Sequence, residues 1–224
     1  RSKTLSTLGQ YSNELAHEIK NPLNAINIQM SLLEREIGKH GLGTGEELAD
    51  IVKVVKEEIS RLNKLAKDCL SFSKSGDLDR TEEDIVQIIE QLLSLITPHA
   101  DLNGVNICLT MLQDCPHILV DKDKIKQAFM NIILNAIEAM TDGGEIAIGV
   151  SKKDSYLNIS IKDTGPGIPD GQHDKIFGLF YSTKSGGTGV GLAVTKNIIH
   201  AHGGNIRFEK LVEGAEFIIE LPLS

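Results

Sequence analysis

The sequence predicts a two-part molecule: an α-helical hairpin that dimerises into a four-helix bundle, followed by an α/β sandwich with one sheet and its helices on one face. Three observations carry this reading. Over the first ~75 residues apolar side chains recur in heptads. Beyond them, short helical patterns are interleaved with mostly adjacent strand patterns. The two regimes meet at a polar hinge, Ser73-Lys74-Ser75-Gly76-Asp77. The expected domains are residues 1–75 and 76–224.

Composition sets the bounds. The chain has 224 residues, 41% hydrophobic and 24% charged, which suits a globular protein able to bury a core without staples. No apolar run approaches the ~18 residues of a membrane span, so neither a spanning helix nor a signal peptide is expected. The net charge of −8 argues against a protein that lives on nucleic acid or anionic lipid. Cys69, Cys108 and Cys115 are odd in number and lack C-x-x-C spacing. That argues against a disulfide framework or zinc site and for a reducing compartment.

In the hairpin, Leu5, Leu8, Leu15, Ile19, Ile26, Leu33 and Ile37 fall on one heptad seam, with Ser12 and Pro22 at its two remaining positions. After a loop holding Gly38, Gly41, Gly43 and Gly45, the second helix continues the pattern with Leu48, Val52, Val55, Ile59, Leu62, Ala66 and Cys69. Two such helices joined by a short loop form an antiparallel pair. A lone pair buries one seam on each helix, so pairing with a second copy is expected. The alternative is a monomeric hairpin packed on the rest of the chain.

In the second half, Asp84 to Ile96 reads as a helix stopped near Pro98, and Val105 to Met111 as a strand. Asp121 caps a long helix ending near Met140, before Gly143-Gly144. Glu145 to Lys152 and Tyr156 to Lys162 form a strand pair that turns at Lys153-Asp154. A Gly-rich stretch from Asp163 to Gly191 precedes a helix from Leu192 to His202. Strands Asn205 to Leu211 and Ala215 to Leu221 close the chain. His200 and His202 read as helix-end residues rather than metal ligands.

Several residues carry chemistry. With Leu15 and Ile19 on the seam, His17 lies opposite it, on the outer face, together with Asn21 four residues on. Pro22 leaves the carbonyl of Glu18 without a helical partner and should bend the helix just after His17. A solvated surface histidine is the plainer alternative, but an exposed neutral imidazole is a competent nucleophile near neutral pH.

The helix Gln127 to Met140 is nearly all apolar, and its polar residues Gln127, Asn131, Asn135 and Glu138 form one narrow stripe. Two uncharged amides there are aimed at a polar cavity, and amide oxygens suit Mg²⁺ shared with phosphates. An ordinary exposed stripe is the alternative. Asp163-Thr164-Gly165-Pro166-Gly167 follows a strand. It reads either as a turn or as a buried carboxylate beside a backbone that passes close to a flat ring. Gly186-Gly187-Thr188-Gly189-Val190-Gly191 opens a helix, either as an anion site or as a flexible loop. Lys184 supplies a mobile cation just upstream.

These segments together resemble the sensor histidine kinases of two-component systems. Leu15-Ala16-His17-Glu18-Ile19-Lys20-Asn21-Pro22-Leu23 resembles the H box of the HisKA class, nearest to nitrogen-regulation-type kinases, and Asn131-Ile132-Ile133-Leu134-Asn135-Ala136 resembles the N box. Asp163-Thr164-Gly165-Pro166-Gly167-Ile168 is similar to the G1 box, Ile176 to Lys184 to the F box, and Gly187-Thr188-Gly189-Val190-Gly191-Leu192 to the G2 box. The motifs stand in the family's order over nearly the whole chain.

The resemblance implies a homodimeric phosphotransfer hairpin and a Bergerat-type ATP-binding domain that uses ATP and Mg²⁺. His17 would take the phosphoryl group, Glu18 would accept or orient its proton, and Asn21 would position water for a phosphatase reaction. Asn135 would hold Mg²⁺, with Asn131 beside it near the phosphates. Asp163 would read the adenine amine, and Gly165 and Gly167 would line the base pocket. Lys184 and Thr188 would lie on the ATP lid. Gly187, Gly189, Gly191 and Leu192 would complete the nucleotide site. Related Bergerat ATPases carry a glutamate one turn before the metal-binding asparagine. Asn131 stands there, a poor base, so ATP should be held without efficient hydrolysis. Glu138 replaces a basic residue common in the family, and the final turn lacks its usual Gly-Thr.

The expected partner is the receiver domain of a response regulator, without nucleic acid and without membrane contact by this fragment. The expected compartment is the cytoplasm, whether for a free protein or for the cytoplasmic part of a longer, membrane-attached kinase. A silent dimeric scaffold and a hydrolytic ATPase are the rival classes.

Overall fold

The computed structural model describes residues 19, 21–33, 45–74, 78–111, 115–173, 175–184 and 187–223. It contains two compact units. One holds the described residues up to Ser73 together with Leu179–Val190, and the other holds Lys74–Gly178 and the residues from Gly191 onward.

In the first unit, residues 21–33 form helix α1, and Gly45–Lys74 form α2. Pro22 lies buried within the helical run, while Leu23 and Ile28 stay 45% and 61% exposed. On α2, Leu65 is buried, and Ile51, Val54, Glu58 and Arg61 are half-buried. Val52, Ile59 and Ala66, which share the predicted seam, are exposed. At seven-residue spacing they form a separate apolar stripe from the one that Leu65 closes. The residues before Ile19, residues 34–44, where the glycine-containing loop is expected, and Ser75-Gly76-Asp77 lie outside the described residues.

The second unit runs β1 (Thr81–Glu83), α3 (Ile85–Leu102), β2 (Val105–Thr110), β3 (Ile118–Val120), α4 (Lys122–Ala139), β4 (Gly144–Lys153), β5 (Tyr156–Asp163), α5 (Gly191–Ala201), β6 (Asn205–Lys210) and β7 (Ala215–Pro222). Strands β1 and β3 make a small antiparallel sheet, and the main sheet has the order β2-β4-β5-β7-β6. Only β2 and β4 are parallel in it, joined by the crossover through α4. The two three-residue strands escape a periodicity search because they are shorter than a strand pattern.

Aspartates start two of the helices. The Asp84 carboxylate accepts from Val86 N–H at 2.8 Å, and the Asp121 carboxylate accepts from Lys124 N–H at 3.1 Å. The expected stop of α3 near Pro98 is corrected, because the helix continues to Leu102 with Pro98 inside. Proline there costs only the bond to the Ser94 carbonyl, and both residues are exposed, so water can serve that oxygen.

Burial alternates along the strands. Leu157, Ile159 and Ile161 of β5, Phe217, Ile219 and Leu221 of β7, and Ile146, Ile148 and Val150 of β4 are buried. Ile88, Ile89 and Leu92 of α3, Phe129, Ile132 and Ile133 of α4, and Val194, Ile198 and Ile199 of α5 fill the other side of this core. The opposite sheet face carries Lys162, Glu209, Glu216 and Ser160. This is the expected sandwich of one sheet with helices on one face.

Candidate functional site

The period of β5 places its last residue. Leu157, Ile159 and Ile161 face the core, so Asp163 points to the same side at the strand's end, and it is 6% exposed. Its Oδ1 accepts from Gly165 N–H at 2.9 Å, which turns the chain back over the carboxylate. A Cβ on Gly165 would stand 3.0 Å from that oxygen and 3.2 Å from Met140 Cγ, so the bare glycine keeps the space beside the carboxylate open. Thr164 fastens the other side: its Oγ1 accepts from Glu145 N–H at 3.0 Å.

Gly167 has a φ of +70°, and a Cβ there would meet the carbonyl oxygen of Gly214 at 2.8 Å. Its requirement is thus the tip of the β6–β7 hairpin, which presses on the loop. A cavity of about 260 Å³ opens there, lined by Thr164, Pro166, Ile168, Lys210, Val212 and Glu213 among others. Beyond it His173 packs on Phe208 with ring centroids 4.9 Å apart, and its Nε2 lies 3.2 Å from the Ile168 carbonyl. Lys210 Nζ donates to Asp170 Oδ1 at 2.7 Å, which holds the Asp170 carboxyl below the usual carboxylate range. Phe177 meets Phe217 edge-on and lies under Lys196 Nζ, 5.3 Å from the ring centroid.

The amide stripe of α4 is half-buried at Gln127, Asn131 and Asn135 and exposed at Glu138. Asn131 has a defined task. Its Nδ2 donates to the Gly191 carbonyl at 3.0 Å and reaches Thr195 Oγ1 at 3.3 Å. Thr195, fully buried, donates its hydroxyl hydrogen to the same carbonyl at 2.9 Å. Asn131 therefore ties α4 to the first turn of α5. Asn135 stands one turn further along on the same face.

In the Gly-rich segment, Ser182 Oγ accepts from Lys184 N–H at 3.1 Å, and Gly187 N–H donates to the Lys184 carbonyl at 3.2 Å. A Cβ on Gly187 would collide with Ser182 Oγ. Gly189, at φ +64°, passes so near the Phe180–Tyr181 peptide that a side chain has no room. Thr188 is 6% exposed, and Lys184 is half-buried. Gly191 and Leu192 form the start of α5.

Asn21 is exposed on α1, next to buried Pro22. His17 and Glu18 lie outside the described residues.

One buried group was legible only as a helix-end residue. His202 is 2% exposed, and its Nε2 accepts from the backbone N–H of Asp121 at 2.9 Å while Nδ1 lies 2.7 Å from the Ile198 carbonyl. Since Nε2 must accept, the hydrogen is on Nδ1 and the ring is neutral. Burial holds its pKa below the usual histidine range, with the Arg80 charge acting in the same sense; the Ile198 bond and the Asp121 charge oppose them. His200 is also lowered, by burial and by Lys196. Among the described residues no group of three or more His, Cys, Asp and Glu could hold a metal ion, and no helix is long and apolar enough to cross a membrane.

The fold and this loop chemistry together define an α/β-sandwich nucleotide-binding domain preceded by a helical region. Residues 120–224 match the family of histidine kinase-, DNA gyrase B- and HSP90-like ATPases, and residues 7–78 match the His Kinase A phospho-acceptor domain. The sensor histidine kinase ZraS of Escherichia coli O157:H7 is 33% identical over 226 residues, covering 100% of this chain and 48% of that protein. Sporulation kinase E of Bacillus subtilis is 32% identical, covering 100% of this chain and 30% of that protein. The chain thus spans about half the length, or less, of these relatives. Among solved structures, histidine kinase ThkA in complex with response regulator protein TrrA superposes with a TM-score of 0.84 at 30% identity, covering 100% of this chain and 64% of that one. The catalytic domain of ThkA alone gives 0.60 at 31% identity, covering 65% of this chain and 96% of that one. The chain belongs to the sensor histidine kinase family.

Proposed function

We propose that this chain is the catalytic region of a sensor histidine kinase that moves the γ-phosphoryl group of ATP to His17 and then to an aspartate of a response-regulator receiver domain. The observation that carries the reading is the pairing, in one chain, of a phospho-acceptor domain match that contains His17 with an ATPase domain match that contains Asn135, Asp163 and the glycine-rich loop. The ThkA–TrrA complex supports a response regulator as partner.

In the first step a ring nitrogen of His17 attacks the γ-phosphorus, the bond to the β–γ bridging oxygen breaks, and ADP leaves. Glu18 accepts or orients the ring proton. An acceptor aspartate then attacks the phosphohistidine, forming an acyl phosphate and returning the imidazole, which regains a proton. Asn21 orients a water molecule for hydrolysis of that acyl phosphate. Protein groups act by positioning and charge neutralisation.

Asp163 accepts a hydrogen bond from the adenine amine, beside the space that Gly165 leaves open. Gly167 supports the base pocket. Lys184, Thr188 and the amides of Gly187, Gly189, Gly191 and Leu192 serve the phosphates. Asn135 would hold Mg²⁺ through its amide oxygen. The donor set fits in kind: half-buried Asn135 carries an uncharged amide oxygen, a hard donor of the sort that Mg²⁺ accepts alongside substrate phosphates. When bound, it neutralises phosphate charge. Asn131, engaged with α5, is no general base, which supports slow hydrolysis.

The dimer rests on the apolar stripe Val52–Ile59–Ala66, which a single chain leaves exposed. We place the domain boundary between residues 75 and 76 and this region in the cytoplasm.

Incubation with γ-labelled ATP tests the reading. Acid-labile, base-stable label is expected on the chain, lost in His17→Gln with nucleotide binding retained. Label that persists in His17→Gln would overturn it. Asn135→Ala should abolish Mg²⁺-dependent ATP binding.

A further inference from the structure

The stretch that follows α2 is fastened to the nucleotide-binding unit at three consecutive points. Asp79 N–H donates to Asp121 Oδ2 at 3.1 Å. Arg80 Nη2 donates to the Ala201 carbonyl at 2.6 Å. Strand β1 then pairs with β3, Thr81 opposite Val120. The first two points meet at one hub, because Asp121 N–H donates to His202 Nε2 and His202 follows Ala201. The hub joins the N-cap of α4, the end of α5 and the connector. Both helices that carry the proposed phosphate-site residues are thereby tied, at their ends, to the segment that leads back to the hairpin.

The Arg80 bond is the informative one. It is exposed, and it ties a long side chain to a backbone carbonyl 121 positions away, at the cost of that side chain's freedom. Its effect is to remove freedom from the connector where it leaves the domain. A tethered reaction depends on how often the tether presents its two groups in reactive geometry.

We propose that the Asp121–His202–Arg80 clip is a positioning device for the phosphoryl transfer, holding the connector in one exit from the nucleotide-binding unit so that bound ATP reaches the acceptor histidine along a restricted set of approaches. This rests on the reading of His17 as that acceptor. Neither Arg80 nor His202 touches nucleotide in this scheme. The charged groups that face the His202 ring are Arg80 from the connector and Asp121 from the cap of α4. Protonation would set a ring N–H against the Asp121 N–H, donor against donor, and open the clip in acid.

The test uses the whole chain and compares wild type with Arg80→Ala and His202→Gln. The glutamine can accept from Asp121 N–H and donate to the Ile198 carbonyl without taking up a proton. Arg80→Ala should slow His17 labelling at saturating ATP by about fivefold, the equilibrium worth of one ordinary hydrogen bond, with ATP affinity within about twofold of wild type. His202→Gln should retain the neutral-pH rate and lose less of it than wild type as the pH falls below the usual histidine range, where the lowered pKa of His202 places its protonation. An unchanged rate in Arg80→Ala, a rate loss matched by weaker ATP binding, or identical acid limbs in His202→Gln and wild type would each overturn the proposal. Absence of label in wild type would instead overturn the kinase reading beneath it.

Discussion

Asn131 Nδ2 and the Gly191 carbonyl are 3.0 Å apart, a bond that spans 60 positions of sequence and joins the middle of α4 to the first residue of α5. It explains why an amide stands at this place on a nearly all-apolar helix. An apolar side chain would leave the Gly191 carbonyl and Thr195 hydroxyl with each other alone, and a carboxylate would face both with a second acceptor.

Asn131→Asp should therefore destabilise the nucleotide-binding unit by about 1–3 kcal/mol, the usual cost of an unmatched buried polar group. Thermal unfolding checks this. The substitution should not raise steady-state ATP hydrolysis, because the new carboxylate sits in the contact with α5. A rise in turnover without any loss of stability would contradict that account.

The neutral His202 ring predicts an acid-sensitive fold. Its pKa is lowered in the folded state, so the folded protein resists a proton that the unfolded chain accepts. This contribution is complete above the unfolded histidine value and does not vary there. As pH falls through the unfolded value toward the folded one it is lost, by at most about 1.4 kcal/mol per pH unit for one group. Urea denaturation at a series of pH values should show this slope in wild type and a shallower one in His202→Gln.

Legibility in the sequence followed the range of each interaction. The strand-end position of Asp163 is legible because strand patterns are local, and Leu157, Ile159 and Ile161 then fix the side on which it points. The Asp121 cap was likewise local, lying three residues from its Lys124 partner. The Asn131 stripe was visible as a pattern, but its bond to Gly191 was not, and neither was the His202 hub, whose partner lies 81 residues away. Pro98 misled because a proline usually ends a helix, whereas here the orphaned carbonyl faces water. Strands β1 and β3 have three residues each, too few to show a period.

Asp163→Asn separates fold from recognition. The remaining oxygen can still accept from Gly165 N–H, so the turn over the side chain should persist. The second oxygen becomes an NH₂ group that meets the proposed adenine amine as a donor facing a donor. Affinity for ATP should fall by about tenfold or more, as expected when a charged acceptor is removed from a hydrogen bond. Isothermal titration gives the affinity, and a variant that binds ATP as wild type does would remove Asp163 from the proposed site.

The exposed stripe on α2 leads to a prediction about assembly. Val52 and Ile59 are 44% and 47% exposed, seven residues apart, and face the same way as exposed Ala66. Aliphatic side chains repeated at that interval on a helix are costly in water and are characteristic of a seam between helices. Each fully buried aliphatic of this size contributes about 1.5–3 kcal/mol, so two copies of Ile59 in a symmetric interface carry a substantial share of its stability. Ile59→Glu introduces two like charges into that seam. The variant should sediment as a monomer at concentrations where wild type is a dimer, while its affinity for ATP, whose proposed base pocket around Asp163 lies in the other unit, stays unchanged. A wild-type chain that sediments as a monomer, or an Ile59→Glu chain that remains a dimer, would show that this stripe is not the dimer seam.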